Sequence, residues 1–269
     1  MNSCANSVDV VIPVYNGAST ICAALESVVA QTNVQIGEII IVNDGSTDDT
    51  LAQVHSLSLP NVRLITIVNS GVSTARNTGI AASKSEWIAF LDADDFWFPD
   101  KLERQLLVAN REHVRFVCSA IAPGCKKPEG TIQMSSLWRG NFVATSSVLI
   151  KREIAQNIAP MFSTSMSFAE DYAAWFKVLS MPDGSGFFIS TNLTDYFVSP
   201  RPNYRLGKIV CNLLLLQLEC LLHMLAKKVG MIRTAAGCAV LICGTSISML
   251  SILKRFFNAH FGRNRRQPS

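Results

Sequence analysis

The sequence predicts an α/β fold: a mainly parallel sheet, wound right-handed, with helices on both faces and a helical extension at the C-terminus. Three observations predict it. Strand and helix patterns alternate with short connections from residue 8 to residue 110, as parallel strands joined by crossover helices require. The second strand run, Ile39-Ile40-Ile41-Val42, is apolar throughout rather than alternating, which suits a strand covered on both faces. Three of the strand runs end in polar clusters, at Tyr15-Asn16, Asn43-Asp44 and Asp92-Ala93-Asp94-Asp95.

Residues 8–14 are a β-branched strand that Pro13 closes, and Tyr15-Asn16-Gly17 is a turn. Ser19 or Thr20 caps a helix running to about Gln31, with Ile21, Leu25, Val28 and Val29 on one face. Residues 38–42 form a second strand, and Ser46 with Asp49 makes a capping-box-like start for the next helix. Residues 62–68 are a third strand, and Gly71 opens a helix of small residues. Residues 87–91 are a fourth strand, followed by a helix over 100–110. Beyond residue 115 the alternation loosens. Strands are expected at 115–122 and 144–150, helices at 151–153 and 168–179, and short closing strands at 186–189 and 196–198. In the late helix, Tyr172, Trp175, Phe176 and Leu179 repeat at helical spacing.

The ends of parallel strands lie on one edge of the sheet, so the three polar clusters should converge there. Three carboxylates within Asp92-Ala93-Asp94-Asp95 repel one another unless a cation sits among them. Hard divalent ions take oxygen ligands and leave positions open for substrate phosphates. The plainer alternative is a solvated acidic turn ahead of the helix that Pro99-Asp100 would start. Glu170 and Asp171 also have a plain reading, as acids favoured by the dipole at a helix start.

Composition sets outer bounds. The chain has 269 residues, 49% of them hydrophobic and only 16% charged, enough for one large domain and an appendage. Met1 to Asp9 lacks the basic and apolar regions of a secretory signal. The eight cysteines show no paired spacing, which fits a reducing compartment better than a disulfide framework. The net charge of +4 is uneven: residues 201–269 hold eleven Lys/Arg against the single acid Glu219, leaving residues 1–200 acidic.

Five segments in register carry a family resemblance: residues 11–16 (VIPVYN), 42–48 (VNDGSTD), 71–79 (GVSTARNTG), 91–95 (LDADD) and Glu170-Asp171. With them the chain resembles the family 2 glycosyltransferases, nucleotide-sugar-dependent enzymes of the Rossmann-like GT-A fold. Asn43 departs from the acid many members carry there, and no Gln-x-x-Arg-Trp run marks the processive subgroup. The resemblance implies a catalytic domain over 1–205, with a nucleotide-binding half at 8–115 and an acceptor-side half at 116–205. It implies that Pro13, Tyr15, Asn16, Asp44, Ser73, Arg76 and Asp92 bind a nucleotide-sugar, a UDP-sugar first among donors. Asp94, with Asp95, would hold Mn²⁺ or Mg²⁺, although spacing does not say which acid touches the metal. Asp171, with Glu170 beside it, would be the base that deprotonates a hydroxyl acceptor, with inversion at the anomeric carbon. Arg76 has a plainer alternative as a surface ion pair. The four histidines, His55, His113, His223 and His260, fall outside these segments and are read as surface or membrane-facing.

Residues 206–269 form the basic, apolar tail. Residues 235–253 carry no charge, just long enough to span a bilayer, but basic groups flank both sides, against the positive-inside tendency. An interfacial helical pair meeting anionic lipid satisfies both signals; a span and a pair packed on the catalytic domain are the alternatives. Nucleic acid is a poor partner, because few aromatics interleave with the bases. The expected protein is a cytoplasmic, peripherally membrane-attached transferase acting on a glycan or lipid-linked acceptor in cell-surface polysaccharide synthesis. A polyprenyl-phosphate glycosyltransferase and a non-catalytic nucleotide-sugar-binding scaffold are the rivals.

Overall fold

The centre of the molecule is β1 (Ser7–Val14), all of whose residues are buried. The structure is a computed structural model that describes residues 6–196, apart from 124, 126, 138–140, 167–168 and 182–183. After β1 come α1 (Ile21–Val29), β2 (Gln35–Asn43), α2 (Thr50–Ser56), β3 (Val62–Thr66), α3 (Val72–Ala82) and β4 (Trp87–Phe90). The second half holds β5 (Phe96–Trp97), α4 (Lys101–Glu112), β6 (Phe116–Ala120), β7 (Gly130–Ile132), β8 (Leu149–Lys151), α5 (Arg152–Asn157), α6 (Glu170–Leu179), β9 (Gly186–Asn192) and β10 (Thr194–Asp195).

Eight strands form one sheet in the order β3-β2-β1-β4-β8-β6-β9-β7, and β10 pairs with β5 in a small second sheet. The first four are parallel to one another. β8 then runs antiparallel to both β4 and β6. Two apolar cores cover the two faces. Val8, Val10, Ile12 and Val14 pack with Leu25, Trp87 and Leu102 on one side. Val11, Ile88 and Phe90 pack with Ile80, Phe162 and Trp175 on the other. Consecutive residues of one strand point to opposite faces, so a strand buried on both is mainly apolar; the buried charged exception in β1, Asp9, is satisfied by the amides of Glu38, Lys84 and Ser85 and by the Ser85 hydroxyl.

Several boundaries differ from the sequence reading, each for a physical reason. Pro13 does not close β1: it stays in register with Val42 of β2. Val11 accepts from the Leu91 amide on the β4 side and Val14 from the Asp44 amide on the β2 side. Pro13 therefore turns its missing N–H toward β4, whose pairing with β1 has already ended at Phe90, and no ladder bond is lost. The buried face of α1 is Ile21, Ala24, Leu25 and Val28, whereas Val29 is exposed. Ser46 caps nothing; α2 starts at Thr50, whose amide and hydroxyl both donate to Asp48. Residues 145–147 form a short 3-10 turn rather than strand, leaving only Leu149–Lys151 extended. Thr194–Asp195 form a short strand, and of the closing strand expected at 196–198, residues 197–198 lie outside the described ones.

Gly79 sets how closely α3 can lie on β1: a Cβ there would stand 2.3 Å from a Val11 methyl. The helix carrying Arg76 is thus pressed against the strand that leads to Tyr15. Cys118 is buried and unpaired, as a small hydrophobe should be. Among the described residues no helix is long and apolar enough to cross a membrane. The tail expected at 206–269 lies outside them.

Candidate active site

β1 is flanked by β2 on one side and β4 on the other, so successive connections leave it in opposite directions. The carboxyl ends of strands at such a switch point open a crevice. Tyr15-Asn16, Asp44 and Asp92 follow those strand ends directly. Neighbouring strands lie roughly 5 Å apart, so Asp44 and Asp92, two strands apart, are separated by about twice that. They can serve two ends of one extended ligand.

Asp44 is buried, and its two oxygens accept from the amides of Ser70 (2.7 Å) and Gly71 (2.8 Å) just ahead of α3. Gly71 has φ +91°, a conformation L side chains rarely adopt, which lets the chain turn its amide to that carboxylate. Ser73 is buried in the first turn of the same helix. Asn16 is spent on bracing: its amide donates to the Ser46 hydroxyl (2.9 Å) and its side-chain oxygen accepts from the Thr47 amide (2.8 Å). Pro13 is buried in β1, while the Tyr15 ring stands 51% exposed at the mouth of the crevice.

Arg76 is the hub. Its side chain is only 6% exposed, and Nη2 donates to both oxygens of Asp92 (2.8 and 3.0 Å) while Nη1 donates to Glu170 (3.1 Å). The guanidinium also lies 5.2 Å from the centre of the Phe162 ring. Burial alone would push its pKa down, but the charges of Asp92 and Glu170 more than reverse this. Arg76 is therefore a fixed cation joining the end of β4 to the start of α6, not a surface ion pair. Its neighbour Asn77 ties α3 to the segment ahead of α6, donating to the Phe162 carbonyl (2.7 Å) and accepting from the Phe162 amide (3.0 Å).

The four positions of the acid turn divide sharply. Asp94 is exposed; partial burial and the Asp92 charge hold its carboxyl above the usual range. Asp95 is 2% exposed and accepts from the Ser146 hydroxyl. That hydroxyl in turn accepts from the Asp92 amide at 3.0 Å. The Asp95 carboxylate, expected to help hold a metal, is turned inward, where it fixes the Asp92 backbone through Ser146. Among the described residues no three His, Cys, Asp or Glu side chains converge tightly enough to hold a metal. The set that remains, an exposed Asp94 beside Asp92, fits an ion bound by one or two carboxylates and completed by substrate phosphates.

Glu170 and Asp171 open α6 together but face different partners. Glu170 is held by Arg76. Asp171 is half-buried, accepting from the Asn141 amide group (2.8 Å) and the Tyr172 backbone (2.7 Å). Burial, and then the charge of Glu170, raise its pKa to about 6, and the Arg76 charge only partly offsets them. Among the described residues Asp171 makes no ion pair. Tyr196 completes the picture. Burial comes first and the charges of Asp92, Asp95, Asp171 and Asp94 second in pushing its phenol up to about 12. Asn77 lay inside a recognisable segment, but no spacing or composition marked Asn141, Ser146 or Tyr196.

A parallel-wound sheet whose switch point carries acids at the strand ends defines a protein that binds an extended ligand across the crevice. Comparison with known proteins makes this specific. Residues 9–172 match the family model described as Glycosyl transferase family 2, and the chain belongs to that family. It is 33% identical over 200 residues to the Escherichia coli protein WfaP, UDP-Glc:alpha-D-GlcNAc-diphosphoundecaprenol beta-1,3-glucosyltransferase, covering 71% of this chain and 76% of that one. Among solved structures, S. aureus TarS 1-349 in complex with UDP superposes with a TM-score of 0.65 at 19% identity, covering 79% of this chain and 65% of the other. The mannosyltransferase PcManGT from Pyrobaculum calidifontis, in complex with GDP-Man and Mn²⁺, gives 0.60 at 18% identity over 94% and 87%. These likenesses establish the GT-A fold.

Proposed function

We propose that the chain is an inverting glycosyltransferase that moves a hexosyl or N-acetylhexosaminyl unit from a nucleoside-diphosphate donor, a UDP-sugar first, to a hydroxyl of a lipid-linked glycan. The observation that carries this reading is the division of labour around Arg76. One cation holds Asp92 and Glu170 across the crevice and leaves Asp171 a half-buried carboxylate that makes no ion pair among the described residues and whose pKa is raised to about 6, close to the range in which a general base works best. Tyr15, Asp44 and Ser73 stand at the nucleoside end. Asp94, with Asp92, would hold Mn²⁺ or Mg²⁺ against the diphosphate. A bound divalent ion supplies Lewis-acid stabilisation of charge on the departing diphosphate. Asp171 takes the proton of the acceptor hydroxyl as it attacks from the opposite face. The lipid-linked acceptor is supported by the likeness to WfaP.

Turnover tests this directly: nucleoside diphosphate release is measured over a panel of sugar donors with Mn²⁺ and membrane extract. UDP binding without any donor consumption would instead favour a scaffold. Asp94→Ala is expected to remove the divalent-ion dependence of donor binding, seen as equal UDP affinity with Mn²⁺ and with chelator. Unchanged Mn²⁺ dependence would take the ion away from Asp94.

We further propose attachment at the cytoplasmic membrane face through residues 206–269, from their charge and apolar content. Deleting them is expected to move the protein from the membrane pellet to the supernatant, and a truncated chain that still pellets would refute the attachment.

A further inference from the structure

Tyr196 entered the sequence reading only as part of a closing strand, yet the second sheet carries it to the acid turn. β10 pairs antiparallel with β5 in the register Thr194 to Trp97 and Asp195 to Phe96, which sets Tyr196 opposite Asp95. Directly opposed residues of an antiparallel pair share one face, and the faces alternate. Burial follows that alternation: Trp97 and Thr194 are 3% and 0% exposed, and Asp95 is 2%, whereas Phe96 is 42% exposed. Tyr196, half-buried, falls on the face of Trp97, Thr194 and Asp95. Two bonds hold this strand beside β5 and Ser146. Phe98 donates its amide to Leu193 (3.1 Å), and the Thr194 hydroxyl reaches the Ser146 carbonyl (3.5 Å), which also accepts from Trp97 Nε1 (2.8 Å).

A phenol is an O–H donor at neutral pH, and among the described residues the Tyr196 hydroxyl has no hydrogen-bond partner. Of the four carboxylates whose charge reaches it, Asp92, Asp94 and Asp95 lie on the turn and only Asp171 lies across the crevice. The hydroxyl therefore belongs to the donor side. An anionic ligand brought against carboxylates needs donors that add no repulsion, and a neutral phenol is one.

We propose that Tyr196 is a substrate-contacting residue whose hydroxyl donates a hydrogen bond to the diphosphate of the nucleotide-sugar donor. This rests on the transferase reading above, and the test separates the two. Tyr196→Phe keeps the ring and removes only the donor. With Mn²⁺ present, affinities of the wild type and the variant are compared for UDP and for uridine, with GDP and guanosine as a second pair. The expected result is a loss of about tenfold or more for the diphosphate, the scale of a hydrogen bond to a charged group, with nucleoside affinity unchanged. Equal diphosphate affinity in both proteins would overturn the proposal, and so would parallel loss for nucleoside and diphosphate, which marks a structural disturbance. The transferase reading stands or falls separately, on whether the wild type consumes a sugar donor.

Discussion

Arg76→Ala is expected to abolish transfer and to lower folding stability by about 2–4 kcal/mol. Truncation would strip the cation from Asp92 and Glu170 together, leaving two carboxylates at 25% and 16% side-chain exposure to repel one another. Removing one partner of a buried ion pair costs roughly 3–5 kcal/mol, because the remaining charge stays desolvated; the partial exposure of Asp92 reduces that figure. The guanidinium also packs on Phe162, so apolar contact is lost with the charge. Arg76→Lys is expected to recover little, since one ammonium cannot grip both oxygens of Asp92 and reach Glu170 at once. Denaturant unfolding measures the first effect and donor turnover the second. Wild-type stability in Arg76→Ala would show that the hub is not what joins the two halves.

Asp171→Asn is expected to reduce kcat by about 10²–10⁴-fold, the usual contribution of a positioned general base, with UDP affinity retained. The amide is nearly isosteric and can still accept from Asn141 or Tyr172, so the loss would report proton transfer rather than packing. The pH profile follows from the direction of the shift. Asp171 must be ionised to act, and its pKa is raised to about 6. Wild-type kcat/KM is therefore expected to fall as pH drops through that region and to level off above it. Asp171→Asn should lose this acidic limb. Full activity in Asp171→Asn would favour a phosphate acceptor, which needs no strong base, and with it the polyprenyl-phosphate alternative.

Much of this site was legible because parallel winding is a sequence-level property. Once strands and helices alternate with short connections, every strand's carboxyl end faces the same edge. The clusters at residues 15–16, 43–44 and 92–95 then had to lie near one another. The apolar strands were legible for a related reason: burial on both faces favours apolar residues at consecutive positions. What a lone sequence leaves open has a different cause. It does not show which side the missing N–H of Pro13 faces, and so whether the strand ends there. Asp94 and Asp95, adjacent carboxylates, are chemically identical until their surroundings differ.

The sequence by itself determined the wound α/β architecture, the edge that carries the acids and the pairing of Glu170 with Asp171 at a helix start. Tertiary structure alone decided what each acid does. Asp92 is gripped by Arg76, Asp95 is turned to Ser146, Asp94 is left open and Asp171 is held by Asn141. A carboxylate's ionisation and availability are set by burial and by the donors that reach it, and those of Asp95 and Asp171 come from residues 51 and 30 positions away in the chain.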